Sequence, residues 1–126
     1  MDPKIAPLVE IVNRLEIRTR SSCEGHVCPN LIQSPHPVIG ILIPATQKGA
    51  MDFLRFMGML GVHNDNCHSQ EDVRWTVSPR GYLSMTLMPI NLYQELEVLH
   101  GGIVTLVDHL QKMSDWYDLK THSRIS

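Results

Sequence analysis

Twelve consecutive residues concentrate most of the reactive side chains of this chain: Arg18-Thr19-Arg20-Ser21-Ser22-Cys23-Glu24-Gly25-His26-Val27-Cys28-Pro29. They bring together two guanidinium groups, three hydroxyls, two thiols, a carboxylate and an imidazole. Three chemistries fit such a segment. The first is anion binding. Arg18 and Arg20 offer cationic forks, Ser21 and Ser22 offer hydroxyl donors, and backbone amides around Gly25 can form a nest. A phosphorylated or nucleotide-like ligand would then touch Arg18, Arg20, Ser21, Ser22, Cys23, Gly25 and His26. Trp75 or Tyr82 would stack on a base if either faced this segment. For Trp75 the plainer expectation is the core.

The second chemistry is a soft metal. Cys23, His26 and Cys28 follow a Cys-x-x-His-x-Cys pattern, and Cys67, with His63 and His68 as alternatives, offers a fourth ligand. Zinc takes four such ligands in a tetrahedron. The competing expectation is that both cysteines are small buried residues and His26 is hydrogen-bonded in a loop. The third is nucleophilic catalysis, with Cys23 activated by His26 and Arg20. A catalytic thiol also needs a base held by a third group, and no local motif supplies one.

The run Thr19 to His26 resembles the T-x-S-S-C-x-G-H element of small bacterial and phage proteins, where it also follows a helix and a short strand. It is similar, more distantly, to the S-S-C-S-G-R loop of the wybutosine-synthesising tRNA methyltransferase family. That likeness covers about eight residues, with Glu24 in place of Ser and His26 in place of Arg. The first resemblance implies a phage or bacterial accessory protein. The second implies a nucleotide- or RNA-modifying enzyme that uses the Ser21–His26 segment with S-adenosylmethionine.

Composition narrows the classes. The chain has 126 residues, which is one domain's worth. Its net charge of -2 argues against general duplex DNA binding, which draws affinity from a basic excess. A small nucleotide needs only a few local cations. The longest apolar run, Val38 to Ile43, is far short of a membrane span. Met1-Asp2-Pro3-Lys4 does not open a signal peptide. Three cysteines are an odd number, so reduced thiols and a cytoplasmic setting are expected. His36, His100 and His109 read as ordinary surface or core histidines, and Met51, Met57 and Met59 as core or interface filler.

These residues need elements to position them. Asp2-Pro3 marks a helix start, and Ile5, Leu8, Val9, Val12 and Leu15 give it an apolar stripe over 3–15. Pro7 moves the regular part toward its own position. Residues 16–20 read as a short strand and 21–29 as a loop. Val38 to Ile43 is the strongest strand, apolar on both faces and hence central. Thr46 caps a helix over 47–60, with Ala50, Phe53, Leu54, Met57 and Leu60 inward and Gly61 as its stop. Val73, Trp75 and Val77 alternate, Ser78-Pro79-Arg80-Gly81 turns, and Leu83, Met85 and Leu87 return. Asn91 and Gln94 cap a last helix that runs to about Trp116, interrupted by Gly101-Gly102. The expectation is a single α+β domain over 1–118, followed by a frayed tail over 119–126. Its order is αββαββα, and its four-stranded, mostly antiparallel sheet carries helices on one face, as in a permuted ferredoxin-like sandwich. The doubly apolar strand and the methionine-rich helix suit a homodimer. The leading expectation is a non-enzymatic domain that binds a small phosphorylated or nucleotide-like ligand. The modifying enzyme and a zinc-stabilised interaction module are the alternatives.

Overall fold

Seven elements make up the computed structural model, which describes residues 2–25 and 36–125, with side chains through 118. In chain order they are α1 (Ala6–Arg14), β1 (Arg18–Cys23), β2 (Val38–Leu42), α2 (Gln47–Asp65), β3 (Trp75–Gly81), β4 (Ser84–Pro89) and α3 (Leu96–Ile125). The strands pair antiparallel in one sheet of order β1-β2-β4-β3. The α+β class, the αββαββα order and the four-stranded antiparallel sheet are as the sequence predicts. β4 lies between β2 and β3, which is the split connection of a ferredoxin-like sandwich. The strand order is consistent with that architecture in permuted form.

The core lies on one side of the sheet. Ile39 and Ile41 of β2, Leu87 of β4 and Trp75 of β3 meet Leu8, Ile11 and Val12 of α1 and Phe56 and Leu60 of α2. Leu99, Ile103, Leu106 and Leu110 of α3 complete it, and all four are buried. Each such side chain contributes roughly 1.5–3 kcal/mol by leaving water. α3 packs against both other helices. Gly102 makes its passage possible, because a Cβ there would overlap the side chain of Val73. The glycine pair is therefore a close-packing point inside a continuous helix. No helix among the described residues is long and apolar enough to cross a membrane.

Several boundaries differ from expectation for identifiable reasons. α1 begins at Ala6 with Pro7 in its first turn, and Asp2 does not cap it. The Asp2 carboxylate instead accepts the Glu24 N–H at 3.1 Å, twenty-two residues away. β1 is longer than residues 16–20 and takes in Ser21, Ser22 and Cys23, because these pair with Gly40, Ile39 and Val38. α2 is capped by Thr46, whose Oγ1 accepts from Gly49 N–H at 3.0 Å, but it continues through Gly61 to Asp65. Its inward stripe is Gly49, Phe56, Met59, Leu60 and His63, so Leu54 and Met51 face outward. The hairpin turn is Tyr82-Leu83, and Ser78, Pro79 and Arg80 belong to the strand. β3 is an edge strand, where a proline without an N–H is tolerated. Asn91 accepts from Tyr93 N–H and Gln94 bridges to the carbonyls of Gln70 and Asp72, so neither caps α3. α3 starts at Leu96 and continues past Trp116 to Ile125.

Replacing Gly102 with alanine will force α3 away from Val73 and lower stability by about 1–3 kcal/mol. Urea melts of Gly102→Ala, Val73→Ala and the double variant will show the cost partly recovered in the double variant.

Candidate functional site

Among the described residues, the helices pack on one face of the sheet and leave the second face uncovered. Its composition follows from strand register. Residues opposite Ile39 and Ile41 face the core, and their neighbours face the other way. Ser21 is opposite Gly40, Gly40 is opposite Thr86, and Thr86 is opposite Ser78. One transverse row thus reads Ser21, Gly40, Thr86, Ser78 across all four strands. It supplies three hydroxyls with a bare backbone at one of the two central positions.

The row is the floor of a cavity of about 400 Å³. Arg20, Ser21, His36, Ser78, Arg80 and Thr86 supply its polar lining, and Val38, Pro79 and Met88 an apolar side. Among the described residues no carboxylate lines it. Two guanidinium groups therefore act there without a local counter-charge, in a chain whose net charge is -2. Burial lowers the pKa of His36 below the usual imidazole value. His36 is thus neutral at pH 7, with one nitrogen donating and the other accepting.

Arg20 reaches the cavity through a bulge. The register of β1 on β2 shifts between Thr19 and Ser21, leaving Arg20 as the extra residue. A bulge sends two successive side chains to one face, and here both cross Gly40. A Cβ on Gly40 would sit 2.6 Å from Ser21 Oγ and 2.9 Å from Arg20 Cγ. Glycine at this position creates the space in which both site residues lie.

The other predicted site residues are distributed as follows. Arg18 begins β1 opposite Leu42 and lines a separate cavity with Thr46, Lys48 and Asp52, so it is apart from Arg20. Ser22 is opposite Ile39, on the helical side, and Cys23 is opposite Val38, on the open side. Gly25 is buried with φ 92, and a Cβ there would sit 2.9 Å from the His36 carbonyl carbon and Leu96 Cδ1. It ties the end of β1 to the start of β2. Beside it, His100 Nε2 donates to the Glu24 carbonyl at 2.9 Å. His26 and Cys28 lie outside the described residues. His36, Gly40, Ser78, Arg80 and Thr86 were missed by sequence reasoning. The alternation of Thr76, Ser78 and Arg80 with Trp75 and Val77 was the available signal.

Cys67 is elsewhere, buried on the helical side. Its Sγ is 3.6 Å from His63 Nε2 and 3.7 Å from the Val73 carbonyl. The structure does not bring it to Cys23. Among the described residues no group of three or more His, Cys, Asp or Glu side chains is placed to hold a metal ion. The Cys67–His63 contact is not a nucleophile–base pair either. His63 Nε2 lies 2.9 Å from the Val73 carbonyl, which can only accept, so the proton is assigned to Nε2. No lone pair remains there to take the thiol proton. Burial further raises the Cys67 pKa, which keeps it a thiol. Nδ1 of His63 is then an acceptor and receives a hydrogen bond from His109 Nδ1–H at 2.7 Å, joining α2 to α3.

This histidine pair sets a pH dependence. Desolvation, and to a lesser extent the neighbouring His109, lower the folded-state pKa of His63 below its ordinary 6.5. The unfolded chain therefore takes up the proton first, and stability falls as pH drops below about 6.5. Thermal melts from pH 7.5 to 5 will show a smaller decline for His63→Leu than for the wild type. At pH 7.5 the variant will be about 1–3 kcal/mol less stable, because the Val73 carbonyl and His109 lose their partner. In comparisons with family models, curated proteins and solved structures, nothing matches this chain.

Proposed function

We propose that this chain is a non-enzymatic binding domain that holds a small phosphorylated or nucleotide-like ligand on the open face of its sheet. One observation carries this reading. Arg20 and Ser21 cross Gly40 into the same carboxylate-free cavity that Arg80, Ser78 and Thr86 line from the other edge. Guanidinium forks and hydroxyl donors over a bare backbone suit phosphoryl oxygens. A volume of about 400 Å³ is within the range of small-molecule sites. The ligand residues of the reading are Arg20 and Ser21 from the predicted segment, joined by Arg80, Ser78, Thr86 and His36. Gly25 holds the end of β1 against His36. No observation among the described residues favours the modifying enzyme or the zinc module.

We also infer a homodimer and a cytoplasmic, bacterial or phage setting. Support for the dimer is the outer face of α2, where Met51, Leu54 and Val62 are each more than half exposed. The setting rests on the T-x-S-S-C-x-G-H resemblance and on thiols outside any disulfide at Cys23 and Cys67.

Titration with inorganic pyrophosphate, followed by amide chemical shifts, tests the site. Shifts will centre on Ser21, Gly40, Ser78 and Thr86. Arg20→Ala and Gly40→Ala will each weaken binding about tenfold or more, the value of one charged hydrogen bond. Cys23→Ser will stay within about twofold of wild type, given that Cys23 is outside the cavity lining. Equal loss on Cys23→Ser, or no shifts at this face, sinks the reading.

A further inference from the structure

The two arginines of the open face occupy matching places in the fold. β1 and β3 are the two edge strands. Each carries one register shift, between Thr19 and Ser21 in β1 and between Pro79 and Gly81 in β3. The extra residue is Arg20 in the first and Arg80 in the second. The two bulges flank one row of the sheet on opposite sides, because β1 and β3 run in opposite directions. Thr19 is opposite Ile41, Ile41 is opposite Met85, and Met85 is opposite Pro79. Each arginine follows immediately after an end of that row. Bulges re-aim side chains beside sites, and here both deliver a guanidinium to one cavity from opposite edges.

Between the two edges lies the row of hydroxyls. Ser21 and Ser78 are three strand spacings apart, roughly 14 Å. A compact single phosphate would engage one end only. The rest of the lining decides what lies between. A nucleobase is held on such a sheet by stacking on aromatic side chains. No Phe, Tyr or Trp side chain lines this cavity among the described residues, and its one ring is the small imidazole of His36. Trp75 and Phe56 are buried in the core, and Tyr82 stands in the β3–β4 turn, 92% exposed. The segment 26–35 contains no aromatic residue in its sequence apart from the imidazole of His26. Hydroxyls of Ser21, Ser78 and Thr86 pair instead with hydroxyls and ester oxygens, since each can donate and accept.

Resting on the reading of this face as an anion site, we propose that its ligand is a base-free polyol or sugar carrying an anionic group at each end, at least one of them phosphoryl. It lies across the strands, with one end on Arg20, the other on Arg80, and its hydroxylated body over Gly40 and Thr86. His36, which lines the same cavity, adds a hydrogen bond to it.

The test is calorimetry on the full chain with three probes: glucose 6-phosphate, fructose 1,6-bisphosphate and AMP. The bisphosphate is expected to bind at least tenfold more tightly than glucose 6-phosphate, and AMP no more tightly than glucose 6-phosphate. Arg20→Gln and Arg80→Gln are each expected to bring the bisphosphate down to the monophosphate level while leaving the melting temperature unchanged. AMP binding tenfold more tightly than glucose 6-phosphate overturns the base-free ligand and leaves the anion site standing. Equal affinity for one and two phosphates, or an Arg80→Gln variant with wild-type affinity, overturns the two-ended clamp. Failure of all three probes, together with failure of pyrophosphate, overturns the anion site itself.

Discussion

Three consecutive residues of β2, Ile39-Gly40-Ile41, constrain both faces of the protein. β2 is hydrogen-bonded on both sides, to β1 and to β4. Ile39 and Ile41 are completely buried and give the helices their seat. Gly40 points the other way, where any larger residue would displace Arg20 and Ser21. Stability and the open face are thus specified by alternate residues of one strand. A slip of one residue in register would exchange them, putting glycine in the core and isoleucine in the trough.

The helical layer is held by packing first and by a few polar ties second. α3, about 45 Å long at 30 residues, spans the layer and touches both other helices. Its buried leucines and Ile103 supply the bulk of that attachment. Gly102 sets how closely it approaches Val73. His63 and His109 fix its register against α2 through a hydrogen bond that works in only one protonation state of His63. At the far end Arg14 donates to Gln111 at 2.9 Å, tying α1 to the same helix.

Much of the fold was legible because its signals are local. The continuous apolar run Val38–Ile43 and the alternation in both halves of the hairpin marked the strands, and the Thr46 cap marked α2. The errors arose where tertiary pairing overrides local signals. Ser21-Ser22-Cys23 reads as loop in isolation but is strand because Val38–Ile39–Gly40 pairs with it. Ser78-Pro79-Arg80-Gly81 has turn composition, yet the turn falls later, where Leu83 adopts φ 54. Gly61 is a plausible helix stop, but α2 passes through it to place His63 in the core. Only Arg20 and Ser21 of the candidate site were visible in the sequence, and the nearby His36 and Gly40 carried no local signal. Ser78, Arg80 and Thr86 lie about sixty residues further along the chain, and only the β2–β4 and β3–β4 pairings bring them alongside.

The two bulges have a consequence for how the sheet meets other chains. An uninterrupted edge strand offers a run of unpaired amides and carbonyls on which a foreign strand can grow. Here each edge breaks its own rhythm partway along, and β3 also lacks an amide at Pro79. A strand from a second chain would meet a register break after two or three residues on β1 and after five on β3. The irregularities that aim the two arginines inward therefore also close the sheet to lateral growth. A concentrated solution of this protein gains protection against strand-mediated aggregation from the same backbone geometry that shapes its open face.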